Sequence, residues 1–233
     1  AAEAISVAEK FNSELGRQNF MLYTSADSSL PNDERGRRNY RDAFTKEHWN
    51  GLEFIEAKGD RGGCQTLQQL MGPRPIANNM SLGWKTTSVP TMEAVEMYYT
   101  KNGLPWEDDP ETKDIDPYAY NAEAGTVNLH LYKEPRFYAS VGYDRGTYEI
   151  DGKEITLYLR GGELHGSTLK ETDEYQSCTG YLCQKWIPKA STYSIPSNSF
   201  SFYYYAYPYL RLPELYLSYA EADFEYNGSL STQ

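Results

Sequence analysis

The sequence predicts a mainly α-helical protein with a loop-rich insertion that contains short β-strands. Near both ends of the chain, apolar residues recur at three- and four-residue intervals, which is the spacing of one helix face. The middle, from about residue 132 to residue 186, instead carries β-rich runs and a short turn signal, as strands do. We therefore expect helices to bracket a region of loops and strands.

The first half of the chain is predicted to hold two helices, a short buried segment and a long irregular stretch. The first helix ends at Gly16, and its apolar face consists of Ala4, Val7, Ala8, Phe11 and Leu15. Residues 23–39 are polar and rich in turn formers, which predicts a loop before a second helix over roughly Tyr40–Trp49. The short buried segment is predicted over residues 51–57.

Residues 58–87 have little periodicity and much Gly, Pro and Asn, which predicts an irregular stretch. A loop of this length inside a compact domain is usually functional or disordered. We therefore expect part of any ligand site here.

The second half is predicted to hold a helix, strands and a final helix. Thr91 is placed to cap a helix that ends at Asn102 and Gly103. Residues 137–143 are β-rich, and a hairpin is expected to turn on Asp151 and Gly152. The last helix tolerates Pro213 in its first turn and ends at Asn227 and Gly228, and its face consists of Leu212, Leu215, Tyr216, Tyr219, Ala220 and Phe224.

Composition excludes several classes of function. The net charge is −11, and no run of Lys or Arg is present that could lie along a phosphate backbone, which argues against binding nucleic acid or anionic lipid. No stretch approaches the roughly eighteen apolar residues of a membrane helix. The chain has 22 Tyr, whose apolar faces and hydroxyls suit sugar or peptide ligands, although a single Tyr is more often half-buried in packing.

Neither the cysteines nor the histidines predict a reactive centre. Cys178 and Cys183 either close a small loop as a disulfide or stay free thiols, and Cys64 is remote in sequence. The three histidines have no triad or metal spacing: His48, His130 and His165. We therefore predict no enzyme activity, no metal and no cofactor.

Three motifs occur in collinear order. Tyr209–Ala222 reads YLRLPELYLSYAEA, residues 133–144 read KEPRFYASVGYD, and residues 90–105 open with Pro-Thr and close with Asn-Gly-Leu-Pro. Together they resemble the motifs of the SusD/RagB family, with Pro213 where the family usually has Ala and Lys133 where it has Arg. The resemblance covers about residues 89–228.

The resemblance implies a tetratricopeptide-type helical scaffold that binds a glycan at the cell surface without altering it. It also implies delivery of that glycan to a SusC-like TonB-dependent transporter, at an outer membrane to which the full-length protein is lipid-anchored. A peptide ligand is the alternative. Residues 1–233 are expected to form one domain that lacks the N-terminal part, with its export signal and lipidated Cys, and the last helices.

Candidate ligand-binding residues are those whose side chains suit sugars, namely flat aromatic rings, amides and guanidinium groups. The irregular stretch supplies most of them, and the set is Trp84, Arg74, Asn78, Asn79, Arg61 and Trp106. Trp84 comes first and Trp106 second, although a Trp packed under a loop is an equally common role for Trp84. Trp49 and Trp186 are expected in the core.

The acidic stretch from Trp106 to Pro117 has two further interpretations. Its carboxylates have the chemistry for Ca²⁺, but they lack the EF-hand spacing, so a solvated loop is the more common outcome. A glycosidase carboxylate pair that includes Glu107 or Asp108 is a lesser alternative.

Overall fold

The computed structural model describes residues 6, 9–10, 13, 20–24, 27–45, 53–72, 88–159, 177–194 and 199–230. Five α-helices have defined bounds in these ranges: α1 (Asn32–Thr45), α2 (Arg61–Met71), α3 (Met92–Glu96), α4 (Pro135–Ser140) and α5 (Leu212–Asn227). The strands are β1 (Phe54–Lys58), β2 (Tyr120–Asn121), β3 (Thr126–Val127), β4 (Val141–Gly142), β5 (Thr147–Ile150), β6 (Lys153–Thr156), β7 (Leu182–Cys183), β8 (Thr192–Ser194), β9 (Ser199–Ser201) and β10 (Tyr207–Arg211).

The strands form five separate antiparallel pairs. β1 pairs with β10, β2 with β3, β4 with β7, β5 with β6 and β8 with β9. Within the described ranges no pair extends into a larger sheet. The prediction of helices with short local strands is thus confirmed, whereas the tetratricopeptide-type scaffold stays a prediction.

Two apolar clusters form the described core. The first lies around the β5–β6 hairpin and contains Tyr148, Ile150, Leu157, Leu182 and Ile187. The second lies beside α4 and contains Val95, Leu129, Phe137, Val141 and Tyr181. β4 and β7 each contribute to a cluster, and their pairing joins the two. This second cluster supports the site described below.

Helix α1 lies where the sequence predicted mostly a loop. It begins at Asn32, and within it the Glu34 carboxylate accepts hydrogen bonds from Arg37 at 2.9 Å and from Arg38 at 2.5 Å. Such i to i+3 and i to i+4 pairs support a helix without an apolar stripe, so the loop prediction is wrong over residues 32–39. Residues 46–50 lie outside the described ranges.

Helix α2 occupies the start of the stretch predicted to be irregular, so that prediction is wrong for residues 61–71. Its buried positions are Cys64 and Gln68. Gln68 donates through Nε2 to the Tyr203 carbonyl at 2.9 Å and accepts through Oε1 from the Ser191 hydroxyl at 2.7 Å. The signal that was overlooked is the recurrence of Cys64, Leu67 and Met71 at helical spacing within a Gly- and Gln-rich segment.

Two further predictions need correction. Residues 135–140 form helix α4 instead of a strand, because Pro135 occupies its first position, where proline needs no amide partner. Only Val141 and Gly142 of the predicted strand are extended. Helix α3 ends at Glu96 and not near Gly103, although its cap is confirmed by the Ala94 amide, which donates to Thr91 Oγ1 at 3.3 Å.

Other predictions are confirmed. Asp151 and Gly152 form the hairpin turn with φ of 57° and 70°. α5 starts with Pro213 in its first turn and ends before Gly228, whose φ is 72°. Of its predicted apolar face, Leu212 is buried, whereas Phe224 is 54% exposed. The described part of the first predicted helix is helical, at Ser6, Glu9, Lys10 and Ser13.

Of the predicted short buried segment, residues 53–57 are described, and only two of them are buried. Glu53 and Phe54 are buried, and the rest of β1 is partly or fully exposed. All three thiols are free: Cys64 is buried, Cys183 is half-buried and Cys178 is exposed. The structure therefore contains no disulfide between Cys178 and Cys183.

Candidate ligand-binding cleft

A cleft of about 430 Å³ opens between helix α3 and the loops that follow it. Its lining combines aromatic rings, carboxylates, prolines and one lysine: Glu93, Glu96, Met97, Tyr98, Tyr99, Pro105, Trp106, Glu107, Pro117, Tyr118, Leu129 and Lys133. Backbone contacts bring these segments together. Thr100 forms an antiparallel β-bridge with Lys133, and the Leu129 amide donates to the Pro117 carbonyl at 2.8 Å. We call this site the Trp106 cleft.

Trp106 is held in one orientation by its own polar atoms. Its indole Nε1 donates to the Ile115 carbonyl at 3.1 Å, and its carbonyl accepts from the Thr112 hydroxyl at 2.7 Å. The ring also meets Tyr132 edge to face, with centroids 5.9 Å apart. The half-buried indole therefore presents a fixed aromatic surface to the cleft.

Asp109 organises the loop that carries Trp106. Its carboxylate is buried and accepts hydrogen bonds from the Thr100 hydroxyl, from the Glu111 amide at 2.9 Å and from Asn102 Nδ2 at 3.1 Å. These hydrogen bonds, led by the one from Thr100, lower the pKa of Asp109. One side chain of the acidic stretch is thus a structural anchor for the loop and not part of a solvated surface.

Three carboxylates line the cleft. Glu96 accepts a hydrogen bond from the Tyr118 hydroxyl, and this bond raises the pKa of Tyr118. The pKa of Glu93 is lowered because its carboxylate accepts from its own backbone amide and from Thr91. Glu107 is exposed. The cleft thus offers carboxylate acceptors beside aromatic faces.

Lys133 forms a buried wall of the cleft. It is 2% exposed, and its ammonium donates to the carbonyls of Tyr98 at 2.6 Å and Glu96 at 3.3 Å. Burial lowers the pKa of Lys133, although nearby carboxylates, Glu134 first, act in the opposite direction. The ammonium lies 5.9 Å from the centre of the Trp106 ring, which is within the range of a cation–π contact.

The structure places the predicted site residues in different surroundings. Trp106 lines the cleft. Arg61 is the first residue of α2, and its guanidinium lies 5.5 Å from the centre of the Tyr204 ring, so it contributes nothing to the cleft lining. The other four predicted residues lie outside the described ranges: Arg74, Asn78, Asn79 and Trp84.

Sequence reasoning missed most of the cleft. Tyr118 is 22 residues from Glu96 in the chain, and it joins Glu96 and Tyr98 only because loops fold onto α3. The available signal was the motif of residues 90–105, which contains Glu93 and directly precedes Trp106. Trp186, expected in the core, is half-buried and stacks on Tyr207 with ring centres 5.0 Å apart.

A second cleft, of about 450 Å³, lies between α1 and the hairpin. Its charged groups largely pair with one another, since Arg37 contacts Glu34 at 2.9 Å and Glu154 at 3.5 Å. Lys101, also in its lining, pairs with Glu111 at 2.7 Å. This cleft also lacks a tryptophan, so it offers a smaller aromatic surface for a sugar ring than the Trp106 cleft does.

Other kinds of site are not seen in the described ranges. No group of three or more His, Cys, Asp and Glu side chains there is arranged to hold a metal ion. No helix described is long and apolar enough to cross a membrane. His130 is buried between the Thr126 hydroxyl at 2.7 Å and the Tyr181 hydroxyl at 2.9 Å, which is a packed structural position.

Comparisons with known structures identify the fold. Two structures of a protein named BT4246, one in selenomethionine form, superpose with TM-scores of 0.68 and 0.67 at 21% and 22% identity. They cover 92% and 91% of this chain, which spans 39% and 37% of theirs. A SusD-like protein (BF3747) from Bacteroides fragilis NCTC 9343 has a TM-score of 0.55 at 19% identity, covering 82% of this chain and 35% of its own.

Family membership rests on the sequence itself. No curated protein matches the chain significantly. The family model described as the SusD family matches residues 52–232, which include all three motifs found in the sequence. The resemblance is thus confirmed over most of the chain, and this chain belongs to the SusD family.

Proposed function

We propose that this chain is the ligand-holding part of a cell-surface glycan-binding protein. The observation that carries the proposal is the Trp106 cleft, where a fixed indole lies among tyrosines and carboxylates. Sugar rings pack their C–H faces on flat aromatic surfaces, and their hydroxyls donate to carboxylates and carbonyls. Membership of the SusD family supports a role in nutrient uptake.

The bound glycan would be held without being cleaved. A glycosidase needs one carboxyl group with a raised pKa as its general acid. In the cleft the pKa of Glu93 is lowered, and Glu96 already accepts a hydrogen bond from Tyr118. Both observations favour carboxylates that act as hydrogen-bond acceptors over a catalytic pair.

Delivery to a SusC-like TonB-dependent transporter at the outer membrane is part of the same proposal. The family resemblance supports it, together with lipid anchoring through a segment outside the residues given. The test is co-purification of the full-length protein with its transporter from detergent-solubilised outer membranes. Recovery of the protein in the soluble fraction without a transporter would contradict this part.

The glycan proposal is tested by affinity electrophoresis of the chain in gels that contain starch, galactomannan, laminarin, polygalacturonate or chondroitin sulfate. Any polysaccharide that retards the protein is then measured by calorimetry with Trp106→Ala. We expect about a tenfold or greater loss of affinity, because a buried aromatic contact contributes more than about 1.4 kcal/mol. Retention only on immobilised peptides would favour the peptide alternative.

Tyr209→Ala is the matched control for loss of an aromatic ring. Tyr209 is 58% exposed on β10 and does not line the cleft, so its removal is expected to leave glycan affinity unchanged. Equal affinity of the Trp106 variant and the wild type would contradict the proposed site. The same assay with Trp84→Ala tests the first sequence-predicted residue, which stays a prediction together with Arg61, Arg74, Asn78 and Asn79.

A further inference from the structure

We infer that the Trp106 cleft selects uncharged or amino-bearing glycans and discriminates against uronate and sulfate groups. The inference rests on the proposed function and specifies its ligand class. It is carried by the charges that line the cleft and by the contacts that already occupy its one cation.

The lining is formally anionic. Three carboxylates and one ammonium line the cleft: Glu93, Glu96, Glu107 and Lys133. Within the described part of the chain, no Lys or Arg lies at ion-pair distance from Glu93 or Glu107. Both side chains belong to exposed residues, so their charge faces any ligand that enters.

Lys133 offsets part of this charge, but it is poorly placed for direct contact with an incoming anion. Its ammonium donates to the carbonyls of Tyr98 and Glu96, and the residue is 2% exposed. Because the residue is almost fully buried, a ligand carboxylate or sulfate has little access to the ammonium. Among the described residues, the cleft therefore has no exposed cation in position for the bidentate or point-charge contacts with which proteins bind such groups.

The cost to an anionic sugar follows from Coulomb's law. At about 4 Å in water, one like charge weakens binding by roughly fivefold, and two exposed carboxylates act together. The net charge of −11 repels anions at longer range as well. A hydroxyl or an ammonium on the sugar would instead donate to these carboxylates.

The experiment compares matched derivatives of whichever neutral polysaccharide binds in the gel screen. Hydroxyethyl and carboxymethyl groups have similar size but differ in charge, so the pair isolates electrostatics. We expect the hydroxyethyl form of starch, galactomannan or laminarin to bind about tenfold or more tightly than the carboxymethyl form in 20 mM salt. The ratio should shrink in 500 mM salt, where screening acts over a few ångströms.

A double variant assigns the effect to the cleft. Glu93→Gln with Glu107→Gln should reduce the ratio of hydroxyethyl to carboxymethyl affinity at least fivefold. Glu123→Gln removes an exposed carboxylate outside the cleft and should leave the ratio unchanged. An unchanged ratio in the double variant would overturn the inference.

The outcomes separate this inference from the proposed function. If polysaccharides bind through Trp106 but the carboxymethyl form binds equally well, the inference fails and the function stands. Preference for polygalacturonate or chondroitin sulfate over every neutral polysaccharide would likewise overturn the inference alone. If no polysaccharide binds at all, the proposed function fails with it.

Discussion

Arg41 is a buried arginine that connects three segments of the described structure. It is 1% exposed on α1, and it forms an ion pair with Glu149 at 2.9 Å. Its Nη2 also donates to the carbonyls of Glu149 at 2.7 Å and Ile187 at 2.6 Å. Burial alone would raise the pKa of Glu149, but Arg41, with Arg37 and Lys189, lowers it. One guanidinium thus joins α1, the hairpin and the segment after β7.

Replacing Glu149 by Gln should therefore destabilise the protein by about 3–5 kcal/mol, because a buried guanidinium is left without its counter-charge. Urea unfolding at pH 7 measures the change. Glu154→Gln is the matched control, since its carboxylate contacts Arg37 at 3.5 Å from a side chain that is 40% exposed, where a pair is worth at most about 1 kcal/mol. Equal losses in the two variants would contradict this account.

Contacts between residues that are far apart in the chain could not be predicted from the sequence. Arg41 and its acceptor at Ile187 are far apart in the chain, and nothing local distinguishes this Arg from Arg37 or Arg38. Trp106 was predictable as a candidate because an aromatic residue beside a proline stands out in an acidic segment. Its partners were not, because the hydrogen bond from Tyr118 to Glu96 forms only after the loops fold.

Elements with local signals were the ones predicted correctly. The β5–β6 hairpin has Asp-Gly at its turn, and α5 has Pro near its start and Asn-Gly at its end. α2 was missed although its buried Gln68 donates to the Tyr203 carbonyl, a partner remote in sequence. α4 was missed because the β-rich residues 137–143 outweighed the helix-start signal of Pro135. The prediction made helix α3 too long, because after Glu96 the backbone of Thr100 forms a β-bridge with Lys133 instead of helical hydrogen bonds.

At the scale of one element, the hairpin turn gives a direct prediction. Gly152 has φ of 70°, and no neighbouring atom lies within 4 Å of the position that an added Cβ would take, so an alanine there suffers backbone strain and not a clash. Gly152→Ala should destabilise the protein by about 1–2 kcal/mol, measured by thermal or urea unfolding.

Gly62→Ala is the control for this turn variant. Gly62 lies in α2, and its added Cβ would meet Asp60 Oδ1 at an ordinary 3.5 Å. Alanine is favoured over glycine in helices by up to about 1 kcal/mol, so this variant should be neutral or stabilised. Destabilisation of both variants by the same amount would contradict the conformational explanation.

At the scale of the whole molecule, the cluster beneath the Trp106 cleft is expected to make the stability of the protein depend on pH. His130 packs beside Phe137, with ring centres 6.2 Å apart, and Leu129 belongs to both the cluster and the cleft lining. Burial lowers the pKa of His130 to about 4, because the surroundings disfavour an imidazolium. The folded protein therefore keeps this histidine neutral over a range in which the unfolded chain protonates it.

The sign of the resulting pH dependence follows directly. Between pH 6.5 and about 4 the unfolded state binds a proton at His130 that the folded state does not, so stability falls as pH falls through this window. The full contribution is about 3 kcal/mol. Urea unfolding at pH 6.5, 6.0, 5.5 and 5.0 should show the decline, and His130→Gln should flatten the part of it due to this residue. If the stability of the two proteins falls in parallel with pH, His130 is not the source of the decline. If the two stability profiles converge as pH falls, the acid sensitivity arises in the cluster beneath the Trp106 cleft.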